Sequence, residues 1–509
     1  MSQDNTQGKK KKHSFPNAFT VLFLILILAT ILTYIIPSGS FDRLRYDDKA
    51  KNFEITKYDG SIKTAPASQK VLDDLKVTIP IEKFKSGAVL KPVAIPNTYH
   101  RLKQKPQGFK EFLMSSVLGV EDSVGIIVFV LILGGIIETI NQSGAFAAAM
   151  SSLSKKSKGK EFLLVSTVCI IIAIGGTTYG MAEETIAFYP ILMPIFLASG
   201  FDALTGIAAI FLGSAVGTMF STVNAFSVVI ASNAAGISFK DSIPIRFVGL
   251  VISVIVTLLY MYRYAKKVKK DPTKSLVYDD MPNIKKKFLE DYNSKEEVSF
   301  DWRKKAMLSI VVIGFGIMIW GVSSQGWWFE EMSGLFLLIG LICMFLSGFG
   351  EKKAVSTFIQ GSASLVGVAL IIGVARGINI ILDGGMISDT ILDASAHAIA
   401  GVNGILFSAI QMILFMFLGI FIPSSSGLAA LSMPIIAPLA DVVHIGRNVV
   451  VSAYNYGQGL MAFITPTGLI LASLELVDVT YDKWLKYVLP LMGIIGVIAL
   501  AMLGIESVM

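Results

Sequence analysis

Two adjacent carboxylates, Glu183 and Glu184, and one guanidinium, Arg376, stand inside apolar stretches of the chain. There a charge costs roughly 2.5–3.5 kcal/mol on insertion scales and is by default functional. Hydroxyl and amide residues gather where the apolar runs break: Thr177, Thr178 and Tyr179; Ser221 and Asn224; Ser424, Ser425 and Ser426; Thr465 and Thr467. A helix broken in hydrocarbon exposes N–H and C=O groups that protein, water or ligand must satisfy. Each hydroxyl therefore either caps a broken end or binds a ligand. Half-helices restarting near Ala182, Ala225, Leu428 and Leu469 turn positive dipole ends toward the breaks, which predicts an anionic group on the ligand. Adjacent helical residues diverge by about 100°. One glutamate is thus expected to face the ligand while the other takes a partner or a proton, unless both cap a helix start. Arg376, between Gly373 and Gly377, either clamps a substrate carboxylate or neutralises Glu138 or one of the glutamate pair. Tyr454, Asn455, Tyr456 and Gln458 add lining or interhelical bonds.

The elements that must hold these residues follow from composition. The 509 residues are 53% hydrophobic and 16% charged, against about 25% charged in soluble domains. The mean hydropathy is +0.66. Apolar blocks of about twenty residues match the roughly 30 Å of a bilayer core, so the chain reads as a polytopic protein embedded in lipid. Cys169 and Cys343 both lie in apolar runs, which excludes a disulfide framework. Four scattered histidines build no zinc centre, and no HExxH, GxSxG or Walker A pattern occurs. ATP-driven transport by this chain, an enzyme, a resident cofactor or metal, and a nucleic-acid partner are not expected. The net charge of +7 belongs to cationic loops instead.

The expected order is a basic cytoplasmic tail (1–15), a first retained helix (16–36), a small β-containing external loop (37–118), a first repeat (119–262), a basic cytoplasmic linker (263–305) and a second repeat (306–505). The external loop should contain a Tyr58-Asp59-Gly60 turn and β-like runs such as Val77-Thr78-Ile79. Threading from an internal N-terminus puts 25 of the 29 Lys and Arg outside that loop on the cytoplasmic face. The C-terminus then lies outside, in a multi-pass protein of the cell membrane. The runs 162–200 and 405–440 break at Gly175–Gly180 and Pro423–Gly427 and read as tight span pairs or re-entrant hairpins. The runs 202–235 and 447–476 are too long for one straight span and read as discontinuous helices. The fold expected is all-α, with about nine spans and two hairpins.

An offset of 244 carries Pro190 onto Pro434, Pro194 onto Pro438, Gly213 onto Gly457, and Ser221–Asn224 onto Thr465–Gly468. Threading gives the matching units opposite topology. Paired broken helices in inverted repeats point to a secondary-transporter site at the bilayer midplane.

The stretches Gly175–Pro194, Phe201–Phe226, Ala375–Thr390 and Ile422–Leu439 resemble the YfcC-type carriers of the DcuC (C4-dicarboxylate anaerobic carrier) family, in the ion transporter superfamily. That family includes dicarboxylate carriers and arginine/ornithine antiporters, and the resemblance implies a secondary carrier, elevator-type motion and a homodimer. It places the binding tips on Thr177–Glu184, Ser221–Phe226, Ser424–Gly427 and Thr465–Gly468. The family pattern Asn-Pro-Phe is replaced here by Asn224-Ala225-Phe226, so Gly217 and hydroxyls are expected to hold that break. A basic amino acid is the leading substrate, with its carboxylate at the Ser424–Ser426 loop and its cation at Glu183 or Glu184. The alternative is a C4-dicarboxylate held also by Arg376 and coupled to a proton or sodium ion.

Overall fold

A computed structural model describes residues 16–87, 89, 91–146, 148–149, 161–289, 300–325, 327–399 and 405–509. The basic tail and the charged residues within 151–160 and 290–299 lie outside the described residues. The fold is mostly helical, and eight of the described helices are long and apolar enough to cross a membrane. Asn17 caps the first of them, Ala18–Ile35, by accepting the Thr20 amide.

The next segment forms the small β-containing cap. Four antiparallel strands lie in the order Ile62–Pro66, Asn52–Thr56, Arg43–Asp47, Val93–Ala94. The Asp59-Gly60 turn joins the first two in that order, with Gly60 at φ +83°, a conformation glycine adopts at no steric cost. Val77-Thr78-Ile79 departs from the expected β-like run: it forms no strand, and Val77 and Ile79 instead fill the cap core with Leu44, Phe53, Leu72 and Phe84. The helix Phe109–Asp122 begins inside the segment read from the sequence as external loop.

Two scaffold pairs follow. Phe109–Asp122 and Val124–Gln142, joined at Ser123, pack antiparallel on Val366–Gly384 and Glu351–Ser364, joined at Leu365. Small residues at the crossings let the backbones approach closely.

Each half then contains a hairpin and an interrupted helix. The first hairpin runs Glu161–Thr178, breaks, and returns through a 3-10 turn Glu183–Phe188 and the helix Tyr189–Ala198. Both its ends meet the linker end of the helix Ile243–Lys270. Lys269 pairs with Glu161 at 3.3 Å, and Tyr264 donates to Asp202 at 2.7 Å. Both ends of the segment therefore lie on one face. The first broken helix starts there at Ala203, is interrupted after Met219, and ends at Ala234 beside the cap, where Lys83 donates to Asn233 at 2.9 Å.

The second hairpin, Ile405–Phe421 and Ser425–Val442, has both ends near the cap. Arg447 binds Asp441 at 2.9 Å and the cap residue Thr78 at 2.8 Å. At the other end Ser507 donates to Ser408, next to the Glu506 carboxylate that accepts from Ser242 and Asn448. The second broken helix, Arg447–Ala462 and Ile470–Leu476, runs from the cap to the linker, where Lys287 pairs with Asp478 at 2.9 Å. The hairpins thus open on opposite faces, and the broken helices run in opposite directions. The glycines related by the 244 offset play matching parts: a Cβ on Gly213 would lie 2.8 Å from the Cys169 carbonyl, and one on Gly457 2.3 Å from that of Met412, each in the first arm of its hairpin.

Candidate functional site

The first break is held mostly by its own hydroxyls and amide. Thr177 donates to the Phe220 carbonyl at 3.1 Å and accepts the Thr222 amide at 3.0 Å. Asn224 donates to the Gly176 carbonyl at 3.3 Å and accepts the Phe226 amide at 2.8 Å, so it caps the restarting helix without the family's proline. Ser221 bonds Ser227 and the Thr218 carbonyl, and Thr178 donates back to Ile174 at 2.6 Å. Ser214 donates to the Met181 carbonyl. A Cβ on Gly217 would sit 2.3 Å from the Ala173 carbonyl, so the broken helix packs closely on the hairpin arm. These groups tie the hairpin tip to the broken helix as one unit.

The second unit is joined by different residues. Tyr454 donates to the Ser425 carbonyl at 2.7 Å, and Gln458 to that of Pro423 at 3.2 Å. Ser424 caps the arm by accepting the Gly427 amide at 3.2 Å. That arm starts at Ser425, three residues before the expected Leu428, because Ser424 supplies the cap. In the last break Thr465 donates back to Met461 at 2.8 Å, while the freed carbonyls of Phe463 and Ile464 accept from Trp484 and Tyr481. Neither aromatic was foreseen; both stand on the helix Tyr481–Glu506, whose sequence gives no sign of which break it serves.

The Tyr179 hydroxyl, the Asn455 amide nitrogen and the Thr467 hydroxyl are buried with no hydrogen-bond partner among the described residues. Unpartnered buried polar atoms are rare and costly, so these are better candidates for ligand contact than the capping hydroxyls. Tyr179 and Thr178 also line a cavity of about 530 Å³ with Ala225, Phe226, Trp327 and Trp328. The two tryptophans lie in the connection between Trp302–Trp320 and Phe329–Leu346, outside both hairpins, where no spacing rule singled them out.

The charges divide between local support and the open site. Glu184 is buried and accepts the amide of Ala182 at 3.0 Å, stabilising its own loop. Glu183 is half-buried and lies within electrostatic reach of Arg376. Arg376 does not neutralise Glu138, which accepts from Gln142 at 2.9 Å. It ion-pairs with Asp122, at the Ser123 junction of the scaffold, and both side chains remain nearly half exposed. Asp383, seven residues further along the same helix, also lies within its electrostatic reach. At the second tip Ser426 accepts from the cap residue Lys91 at 2.7 Å, and Lys91 in turn senses Arg376. Asp122, Asp383 and Lys91 were not read as site residues, because each stands in a polar segment or near a helix end where a charge is unremarkable.

The model of the C4-dicarboxylate anaerobic carrier (DcuC) family matches residues 15–507. A Haemophilus influenzae protein of uncharacterised function is 47% identical over 498 residues, which cover 98% of each chain. An Escherichia coli K12 protein named "Putative basic amino acid antiporter YfcC" is 28% identical over 521 residues, covering 98% of this chain and 97% of its own. Among solved structures, the Alcanivorax borkumensis YdaH transporter is similar over 96% of this chain and 98% of its own, at 14% identity and a TM-score of 0.39. Neisseria gonorrhoeae MtrF, described with a class of antimetabolite efflux pumps, is similar over 97% and 96%, at 16% identity and a TM-score of 0.37.

Proposed function

We propose that this chain, which belongs to the C4-dicarboxylate anaerobic carrier (DcuC) family and is a membrane transporter, is a secondary carrier of small carboxylate metabolites, with a basic amino acid as substrate. The observation that carries the substrate class is the charge around Arg376. Its guanidinium is already paired with Asp122, which leaves Glu183 and Asp383 against Lys91. The surplus is negative. A basic amino acid, with two cationic groups and one carboxylate, matches it, whereas a dianion adds to it. A pair of charges 4 Å apart is worth about 4 kcal/mol at an effective dielectric constant near 20, enough to decide between them. The name of the Escherichia coli relative is in keeping with this.

The two hairpins opening on opposite faces suit alternating access, with each hairpin and broken helix moving as a unit against the scaffold pairs. A proton- or sodium-coupled C4-dicarboxylate carrier is the second reading, favoured by the family's description and by the two cations Lys91 and Arg376.

Binding to the purified protein separates the two. L-arginine and L-ornithine should stabilise the fold by RT ln(1 + [L]/Kd), about 2.7 kcal/mol at a hundredfold excess over Kd, and so raise the melting temperature. Succinate and fumarate should raise it little. Stabilisation by the dicarboxylates alone would reverse the assignment.

A further inference from the structure

Lys91 comes to the second hairpin tip from outside the helical body. It precedes Pro92 and the strand Val93–Ala94, both of whose residues are fully buried. That strand pairs Val93 with Leu44 and Ala94 with Arg43, and Arg43 is fixed in turn by Asp389 at 2.7 Å. The strand also packs on the hairpin arm Ser425–Val442. The backbone next to Lys91 is therefore clamped between cap and hairpin, with proline limiting it further. From this anchor the ammonium reaches Ser426 at 2.7 Å and lies within electrostatic reach of Arg376. Among the described residues no carboxylate pairs with it.

Desolvation beside the hairpin, and then the Arg376 guanidinium, hold the ammonium below the usual lysine value. Arg376 is itself compensated by Asp122, so among the described residues Lys91 is the cation at this hydroxyl that has no carboxylate partner. A plug that imitated a cationic substrate would instead sit against Glu183 or Asp383.

We propose that Lys91 of the cap and Ser426 of the second hairpin form the subsite for the substrate carboxylate, so that the cap supplies part of the binding site. Resting on the carrier function proposed above, this assigns the cap a role in recognition: it presents a carboxylate-binding cation at the cap-side mouth. A free carboxylate displaces the Ser426 hydroxyl as the partner of Lys91 and gains the charge-assisted bond.

The test compares uptake of L-arginine with that of agmatine, its decarboxylated counterpart, into proteoliposomes bearing wild type, K91Q or K91R. The expected result is an arginine KM about tenfold higher in K91Q, an unchanged agmatine KM, and recovery of most of the loss in K91R. An equal loss for both ligands makes Lys91 merely structural and overturns the proposal. Tighter arginine binding in K91Q makes it a plug and overturns it too. If wild type takes up neither compound, the basic amino acid assignment fails instead. Succinate then serves as probe, and the subsite still requires its KM to rise about tenfold in K91Q and recover in K91R.

Discussion

Replacing Glu183 with glutamine is expected to lower kcat/KM for basic amino acid exchange by about 100-fold or more. The carboxylate is half-buried at the first hairpin tip and lies within electrostatic reach of Arg376. Removing one member of a buried charged contact with a ligand costs about 2–5 kcal/mol. Glutamine keeps the shape, so the melting temperature should hold. Glu184→Gln should show the reverse. Its carboxylate accepts the Ala182 amide at 3.0 Å, and weakening that bond should cost about 1–2 kcal/mol of stability with a smaller effect on transport. Proteoliposome exchange and thermal unfolding of the two variants separate the roles. Dicarboxylate uptake that survives E183Q, with basic amino acids inert in wild type, would favour the second substrate class.

The second large effect is expected far from any ligand contact. A Cβ added to Gly119 would lie 2.1 Å from the Gly373 carbonyl and 2.6 Å from the Gly377 amide nitrogen. Both are helix backbone atoms, which cannot rotate aside. Overpacking costs typically about 1–3 kcal/mol and occasionally more, and contact with rigid backbone belongs at the upper end. Gly119→Ala should therefore lower the melting temperature by several degrees. It should also reduce transport, because Gly373 and Gly377 flank Arg376 and spreading the helices moves the guanidinium off Asp122. Gly334→Ala is the control. Nothing lies within 4 Å of its added Cβ, and in the helix Phe329–Leu346 alanine should be neutral or slightly stabilising.

The interruptions were readable because each departs from an apolar background in a way physics demands. The breaks at Gly175–Gly180, Ser221–Asn224, Pro423–Gly427 and Thr465–Gly468 all coincide with gaps between described helices or with their last turns. Which distant segments the hairpin ends meet was not readable, and the Lys269–Glu161 and Arg447–Asp441 contacts show it.

Among site residues, the sequence identified groups that suit a break but not the partner each one takes. Thr177, Asn224 and Ser424 are engaged with backbone, whereas the Tyr179 hydroxyl, the Asn455 amide nitrogen and the Thr467 hydroxyl have no partner among the described residues, although all six residues look alike as polar residues near a break. Arg376 was conspicuous because an arginine in an apolar span must be compensated. Its partner Asp122 was hidden by the neighbouring Glu121 and the polar junction around it. Lys91 was one lysine among many in the cap, and only the buried strand after it brings it to Ser426.

Counterflow tests the central claim most directly. Proteoliposomes loaded with unlabelled L-ornithine should accumulate external labelled L-arginine transiently above equilibrium, with saturable kinetics, and loading with succinate should give no such overshoot. An overshoot of labelled succinate against internal dicarboxylate, with arginine inert on both sides, would contradict the assignment of a basic amino acid carrier.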